Sequence, residues 1–399
     1  MEIEHLRRWR MRITVLGGAG KMGCIAVQFL AQDPRVDQVQ IADLNLDQAR
    51  VVADTIGSKK IKIQYADVND PEGLVRVLEN SDACLNATVY YTNLAVMEAC
   101  LRAGTHYTDM GGLFYTTRKQ LEKHEAFRSA GLSAVLGMGS APGIPNIQAR
   151  FAAEKLETID SIKIYDGIKP PASEDPRFTY AVPTIVDELT LKPVVYRDGD
   201  FHAMEPLSEF EDYWFTRPIG LLPMHLSLHS EVATLPVTYK DKGVRECFFK
   251  INYWGMAKSV VEKIRVLADF GFSSPDPVDV DGQWVIPRQL MVRLLSGYVP
   301  PITEFLAPPV NRPPDWVKEI VTEVSGTIRG ERVIYRLGTL TVKGALPTGA
   351  APAVAAIWLA EGRIQPGVYP PEVAIDPMPF FKELEAHDMP TQVTVTKMV

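Results

Sequence analysis

The 399-residue sequence predicts an α/β protein built on a doubly wound parallel sheet, and three observations near its start predict it. Strand and helix patterns alternate regularly through the first 150 residues. An apolar strand, Arg12 to Leu16, runs straight into Gly18-x-Gly20-x-x-Gly23, and a helical pattern follows from Met22 to Ala31. The next strand, Val39 to Ala42, ends in Asp43, twenty residues after the third glycine. In this arrangement Gly18 permits the tight turn, Gly20 lets backbone approach a pyrophosphate, and Gly23 lets helix pack closely on strand. The helix start offers free N–H groups and a positive dipole end to phosphates. A carboxylate at Asp43 can accept hydrogen bonds from both ribose hydroxyls, and it repels a 2′-phosphate, which favours NAD over NADP.

The remaining elements follow in order. A helix from Leu46 to Ile56 closes at Gly57, and Ile61 to Tyr65 is a short strand. Asp70-Pro71 starts a helix with an N-cap and a first-turn proline. Ala83 to Asn86 is a strand, Asn93 to Ala103 a helix stopped by Gly104, and His106 to Asp109 a fifth strand. Thr116 to Ala130 reads as one helix and Leu132 to Leu136 as a sixth strand. Beyond a small-residue loop, 137–146, a helix from Ile147 to Leu156 carries the chain into a second domain, which reads as strand-rich and antiparallel. Val194 to Met204 folds around Asp198-Gly199, Val237 to Trp254 around Asp241-Lys242-Gly243, and Ile320 to Val342 around Arg329-Gly330. The proline-rich stretch from Pro300 to Pro314 reads as a surface connection. Near the end Thr348 can cap a helix with Pro352 in its first turn and Gly362 at its close. Its centre, Ala353 to Leu359, is too apolar to face water, so this helix is expected to be buried against the first domain. The expected division is 1–146, a nucleotide-binding domain; 147–345, a substrate and dimerisation domain; and 346–399, helices returning to the first domain.

Composition narrows the function classes. Apolar residues are 46% and charged residues 23% of the chain, as in ordinary soluble enzymes. A net charge of −7 argues against nucleic acid or an anionic membrane as partner. Cys24, Cys84, Cys100 and Cys247 are scattered without a CxxC pair, which points to reduced thiols, a cytoplasmic setting and no metal site. No apolar run approaches a membrane span, and Met1 to Arg10 is charged, a flexible extension without the apolar core of a secretory signal.

Four segments then occur in a telling order: Gly17-Gly18-Ala-Gly20-Lys-Met-Gly23, Asn86-Ala87-Thr88, Tyr107-Thr-Asp109-Met-Gly111-Gly112 and Ala141-Pro142-Gly143-Ile-Pro-Asn146. With Gly367-Val-Tyr-Pro-Pro371-Glu372 they resemble the saccharopine dehydrogenase family, and within it are most similar to the lysine 6-dehydrogenase branch. The resemblance covers the first domain closely and the last fifty residues moderately, and is loose between about Pro170 and Pro314. It implies a Rossmann domain completed by C-terminal helices, and a second α/β domain whose mostly antiparallel sheet closes the active site and often builds a homodimer or higher homo-oligomer.

The candidate cofactor residues are Gly18, Gly20, Lys21, Met22, Gly23, Asp43, Asp67, Val68, Asn86 and Thr88. Lys21 either approaches a phosphate or sits in solvent, and Asp67 either meets the adenine edge or caps the next helix. Asn86 to Thr88 follow the fourth strand, at the carboxyl edge where ligands of open α/β sheets collect. For catalysis the candidates are Asp109, His229 and Tyr90. Asp109 can pair with a substrate ammonium or accept a proton, or it can cap the Gly111-Gly112 backbone as an Asx turn. In His225-Leu-Ser-Leu-His229-Ser230-Glu231, a strand would put His225, Ser227, His229 and Glu231 on one face, and a histidine beside a carboxylate suits proton transfer. Substrate candidates are Tyr91, Gly111, Gly112, Pro142, Gly143, Asn146, His225 and, as a carboxylate clamp, Arg245. The resemblance implies a glycine-rich segment near His229, from which this chain departs.

The resulting expectation is an NAD-dependent amino-acid dehydrogenase acting on a C–N bond, by the resemblance through oxidative deamination of the lysine side-chain amine. The alternatives are a saccharopine-type reductase that forms or cleaves a secondary amine through an imine, and a nucleotide-binding protein without turnover.

Overall fold

The computed structural model describes residues 11–169, 174–178, 180–306, 317–342 and 344–397. The expected extension Met1 to Arg10, and residues 307–314 of the proline-rich stretch, lie outside them. Eighteen strands are found among the described residues: β1 (Arg12–Leu16), β2 (Gln38–Asp43), β3 (Ile61–Tyr65), β4 (Ala83–Asn86), β5 (His106–Asp109), β6 (Ser133–Val135), β7 (Thr158–Ile168), β8 (Val194–Arg197), β9 (Asp200–Ala203), β10 (Glu211–Trp214), β11 (Leu221–Leu226), β12 (Glu246–Ile251), β13 (Val278–Val280), β14 (Gln283–Val285), β15 (Lys318–Ile328), β16 (Glu331–Thr341), β17 (Gly367–Tyr369) and β18 (Thr391–Lys397).

The first sheet is parallel throughout, in the order β17-β6-β5-β4-β1-β2-β3, so the chain reverses its direction of winding beside β1, between β2 and β4. Ligands of such sheets collect at the carboxyl ends of the strands around this switch point. The six expected strands are present, and a seventh, β17, comes from the C-terminal segment. Three residues are too few to show a period, and β17 exists because the β6 edge accepts it: Leu136 donates its backbone N–H to the Tyr369 carbonyl at 3.0 Å. The predicted helix Thr116 to Ala130 is two helices, Leu113–Leu121 and His124–Ser129, broken at Glu122-Lys123.

The second sheet runs β10-β11-β12-β7-β15-β16-β18, with β8 beside β12 and β9 beyond it. It is antiparallel except for the central β12–β7 pair, which is parallel. The Asp198-Gly199 and Arg329-Gly330 hairpins are present. Asp241-Lys242-Gly243 is not a hairpin: Glu231–Thr238 is a helix that crosses to deliver β12 parallel to β7. The helix carries the chain from β11 to the start of β12, and Val232 to Pro236 are buried along it. The domain also carries helices that the strand-rich reading lacked, among them Val182–Thr190, Lys258–Asp269 and Pro287–Leu295. Pro300 to Pro314 is not a plain surface connection in its described part. There Ile302–Leu306 is a helix that buries Phe305 and packs on the Lys21–Gln32 helix.

The C-terminal helix is Leu346–Ala360, with Pro347 in its first turn and Pro352 in its interior, so Thr348 is not its cap. Every residue from Gly349 to Leu359 is buried, and the helix packs on the Lys21–Gln32 helix and on β4 and β5. Gly349 is the point of closest approach, where a Cβ would fall 2.6 Å from the Ile25 side chain and 2.8 Å from the Ala26 nitrogen. Gly349→Val is therefore expected to destabilise the protein by about 1–3 kcal/mol, read as a lower denaturation midpoint in urea.

Candidate active site

The glycine loop is shaped by contacts no side chain could share. Gly17 takes the left-handed conformation (φ +71°), so the tight turn falls on it and not on Gly18. A Cβ on Gly23 would lie 2.1 Å from the Gly17 oxygen. Gly20 leads into the helix that starts at Lys21, whose first N–H groups face the loop. Asp43 is held from both sides: Oδ2 accepts from the Ala19 N–H and Oδ1 from the Asn45 N–H, each at 2.9 Å. Beyond it a surface groove of about 490 Å³ is bounded by Leu44, Asn45, Leu46, Asp47, Arg50 and Tyr65. A cradle with no room for side chains, a helix N-terminus and a ribose-height carboxylate together fit a dinucleotide. Lys21 turns away from solvent, with Nζ 3.4 Å from the Phe178 carbonyl, and burial lowers its pKa to about 8.

From the loop, a cavity of about 590 Å³ opens between the two sheets. Met22, Thr88, Tyr90, Gly111 and Pro142 line it from the first sheet's carboxyl edge, and His229 lines it from the other side. These six expected residues meet. Asn86 stands behind them, its Oδ1 accepting from the Thr88 N–H at 3.1 Å and from the Thr88 hydroxyl at 2.6 Å. Asp67 caps the turn at Asn69 (2.8 Å), Val68 packs on the core, and neither lines the cavity.

Several expected site residues have structural work instead. Asp109 is fully buried: Oδ1 accepts the Gly111 and Gly137 N–H groups at 2.9 and 2.7 Å, and Oδ2 accepts from Gln120 at 2.6 Å, Tyr107 at 2.8 Å and Asn93 at 3.2 Å. Burial raises its pKa against these bonds, and its carboxylate is spent on holding loops together. Tyr90 touches the cavity, but its hydroxyl donates to Asp187 at 3.0 Å, and burial and that carboxylate push its pKa up. It ties the first sheet's edge to the Val182–Thr190 helix and is a poor proton donor. Tyr91 is exposed, Gly112 starts the Leu113–Leu121 helix, and Gly143 closes its loop with φ +117°. Asn146 is buried in bonds to the Gly143 N–H and to Glu372. Arg245 is exposed and pairs with Asp198 at 2.9 Å, far from the role of a clamp.

The histidine segment is not one strand face. β11 ends at Leu226, and Glu231 already begins a helix. His225 accepts the Tyr253 N–H at Nε2 (3.3 Å), lies against Phe210 and Trp254, and is lowered to about 4 by burial, so it stays neutral. His229 stacks on Phe249 at 3.7 Å and gives Nδ1 to Glu231 at 2.5 Å, which leaves Nε2 as the nitrogen available to a ligand. Burial opposes charge on this ring, but Glu231, with Glu188 and Asp166 nearby, outweighs it and raises the pKa above 6.5.

Reading the sequence missed several cavity residues, among them Asp166 on β7, Glu188 in the Val182–Thr190 helix, Lys318 at the start of β15, and Tyr180. Lys318 pairs with Asp166 at 2.8 Å. The Glu188 carboxylate accepts from Tyr180 at 2.6 Å and from the Trp254 indole. The available signal was weak: Asp166 sits in a largely apolar stretch, Ile162 to Ile168, that also holds Lys163, and Glu188 sits beside Asp187 between the apolar Val186 and Leu189.

This fold and site define a dinucleotide-binding α/β protein with a cleft between two sheets. Residues 13–135 match the saccharopine dehydrogenase NADP binding domain. Carboxyaminopropylagmatine dehydrogenase of Synechocystis is 24% identical over 297 residues, covering 71% of this chain and 72% of its own. Carboxynorspermidine synthase of Vibrio cholerae is 24% identical over 308 residues, covering 70% and 71%. Among solved structures, saccharopine dehydrogenase (L-Glu forming) from Saccharomyces cerevisiae superposes with a TM-score of 0.67 over 98% of this chain and 100% of its own, at 17% identity. Homospermidine synthase from Legionella pneumophila, in complex with NAD, gives 0.64 over 98% and 92%, at 14% identity. Residues 13–135 therefore form a domain of the saccharopine dehydrogenase NADP-binding type, the chain has the saccharopine dehydrogenase fold, and it is an NAD(P)-dependent oxidoreductase. These curated relatives bear polyamine names and not lysine dehydrogenase names, which corrects the branch read from the motifs.

Asp109→Asn is expected to lower stability by about 1–3 kcal/mol, because an amide in that place cannot accept every bond the carboxylate does. The measurement is chemical denaturation, and an unchanged midpoint would return Asp109 to the catalytic list.

Proposed function

We propose that the protein is an NAD-dependent reductase joining an amine to a carboxylated aldehyde through an imine, with cleavage of the same secondary amine as the reverse reaction. The observation that carries this reading is the cavity wall facing the glycine loop side: His229 backed by Glu231, with Asp166 and Glu188 buried beside it. The relatives' names, a carboxylated aminopropylagmatine and a carboxylated norspermidine, support a substrate with one polyamine arm and one carboxylate.

The bound nicotinamide supplies or accepts a hydride at the imine carbon. Every other task falls to the chain. Condensation of a neutral amine with the aldehyde gives a carbinolamine, whose hydroxyl must leave as water. Protonated His229, through Nε2, is placed to donate that proton, and in reverse it takes one back. The iminium so formed is cationic, and the buried carboxylates Asp166 and Glu188 favour it over its neutral precursors. Lys318 offers an ammonium to the substrate carboxylate from the same wall. Tyr90, by bonding Asp187, which itself pairs with Arg288 at 2.6 Å, keeps the two sides of the cleft in register. Asp43, followed by Leu44 and not by a basic residue, supports NAD over NADP, with Gly18, Gly20, Gly23 and Thr88 along the cofactor's path.

Two outcomes test this. With NADH, carboxylated aldehydes and a panel of amines, absorbance at the nicotinamide band should fall, with kcat/KM at least about tenfold higher for NADH than for NADPH. Equal use of both nucleotides removes the role given to Asp43, and no consumption with any pair sinks the reaction. In the reductive direction kcat/KM should hold below the raised pKa of His229 and decline above it, on the alkaline side of 6.5. Glu231→Gln removes the partner that raises it and should move this limb to lower pH by about one unit. His229→Asn should cost roughly 10²- to 10⁴-fold in kcat.

A further inference from the structure

Backbone strain is concentrated on one wall of the cavity. Three successive residues after β12, Tyr253, Trp254 and Gly255, take the left-handed conformation, with φ of +40°, +52° and +71°. Gly255 does so freely, and a Cβ there would fall 2.9 Å from the Ile168 side chain. Two adjacent aromatic residues do not, and such backbone persists only where its surroundings over-determine it. The turn belongs to the cavity wall: Ile251, Gly255 and Met256 line it beside Ile168 and Glu188.

Two residues hold this turn. On one side Asn252 brackets Ile168 at the end of β7, its Oδ1 accepting the Ile168 N–H and its Nδ2 donating to the Ile168 carbonyl, each at 2.7 Å. On the other side His225 accepts the Tyr253 N–H at Nε2, at 3.3 Å. Nδ1 of that ring faces the Leu226 carbonyl at 3.2 Å and keeps its proton there, which leaves Nε2 free to accept. Burial lowers the pKa of His225 to about 4, so the acceptor persists at neutral pH. The His225 ring also packs on Trp254, with centroids 5.0 Å apart. With the turn so fixed, the buried Trp254 indole donates to the Glu188 carboxylate, whose same oxygen accepts from Tyr180 at 2.6 Å.

We infer that His225 is a positioning residue: by holding the left-handed turn it directs the Trp254 indole onto Glu188 and so fixes that carboxylate in the cavity. Side-chain direction follows backbone conformation, so a turn relaxed out of the left-handed region withdraws the indole from Glu188. Glu188 then keeps the Tyr180 hydroxyl alone of these two donors, and a buried carboxylate with fewer donors is less firmly placed and less readily ionised. His225 does not line the cavity, and it acts there through two other side chains. The task of Glu188, favouring a cationic iminium, rests on the amine–imine reading above; the path from His225 to Glu188 does not.

The indole N–H resonance of Trp254 reads the path directly, in the full chain labelled with ¹⁵N-tryptophan and assigned by its absence in Trp254→Phe. His225→Leu removes the acceptor and should shift that resonance as Glu188→Gln does. His225→Gln, whose amide oxygen can stand close to the place of Nε2, should leave it unmoved. In the proposed reaction His225→Leu and Trp254→Phe should each lower kcat about tenfold or more with KM for NADH unchanged. The double variant should be no worse than either single one, because both break the same path. A merely structural histidine would cost stability and leave both the resonance and the kcat of the folded enzyme alone. An unshifted Trp254 resonance in His225→Leu overturns the inference, as does wild-type kcat in Trp254→Phe or additive losses in the double variant. Should His225→Leu fail to fold, His225→Asn, too short to reach Tyr253, takes its place in both measurements. Absence of turnover in the wild type would sink the reaction and leave the path to be decided by the resonance.

Discussion

The carboxylate of Asp109 is the interaction on which the site depends. It sits at the end of β5 and accepts from the backbones of Gly111 and Gly137, which open the loops after β5 and β6. Gln120, Tyr107 and Asn93 donate to its other oxygen and tie in the helices on either side. One buried acceptor thus fixes the shape of the carboxyl edge from Gly111 to Pro142. The cavity, the approach to the glycine loop and the position of Ser230 beside Gly137 all follow from that edge. A carboxyl so deeply buried is tolerated because both of its oxygens are satisfied, while burial raises its pKa.

The second sheet adds the chemistry that the first lacks. The Glu231–Thr238 helix joins β11 to its antiparallel neighbour β12, and the turn into that helix is what presents His229 with Glu231 behind it. The same central strand, β7, carries Asp166, and β15 beside it carries Lys318. The Ile302–Leu306 helix reaches back to the cofactor-side helix, so the two halves of the cleft share a wall. Groups from distant parts of the sequence thereby surround one cavity, while Tyr90 and Asp187 latch its two sides.

The close helix–strand approach at Gly23 and the strand end at Asp43 could be read directly because each is set within a few residues, whereas the tight turn expected at Gly18 falls on its neighbour Gly17. The alternation of strands and helices in the first sheet was legible for the same reason. Asp109 was legible as important but not in kind, since only the positions of Gln120, Tyr107 and Gly137 distinguish a scaffold carboxylate from a proton acceptor. His225 and His229 look alike in the sequence. Burial beside Trp254 makes one neutral, and Glu231 makes the other chargeable.

By itself the sequence determined the parallel sheet, the glycine loop with the acidic residue that ends the next strand, and the burial of the apolar C-terminal helix. Each is written in short-range pattern: glycine spacing, strand–helix alternation, an apolar run with no polar face. Only the tertiary structure decided which polar residues meet. Asp166, Glu188, His229 and Lys318 are brought together by strand register and by the helix that joins β11 to β12, and no spacing along the chain encodes that encounter. Long-range pairing places charges in a common low-dielectric space, where a hydroxyl such as that of Tyr90 becomes a latch and Asp166 is held against Lys318.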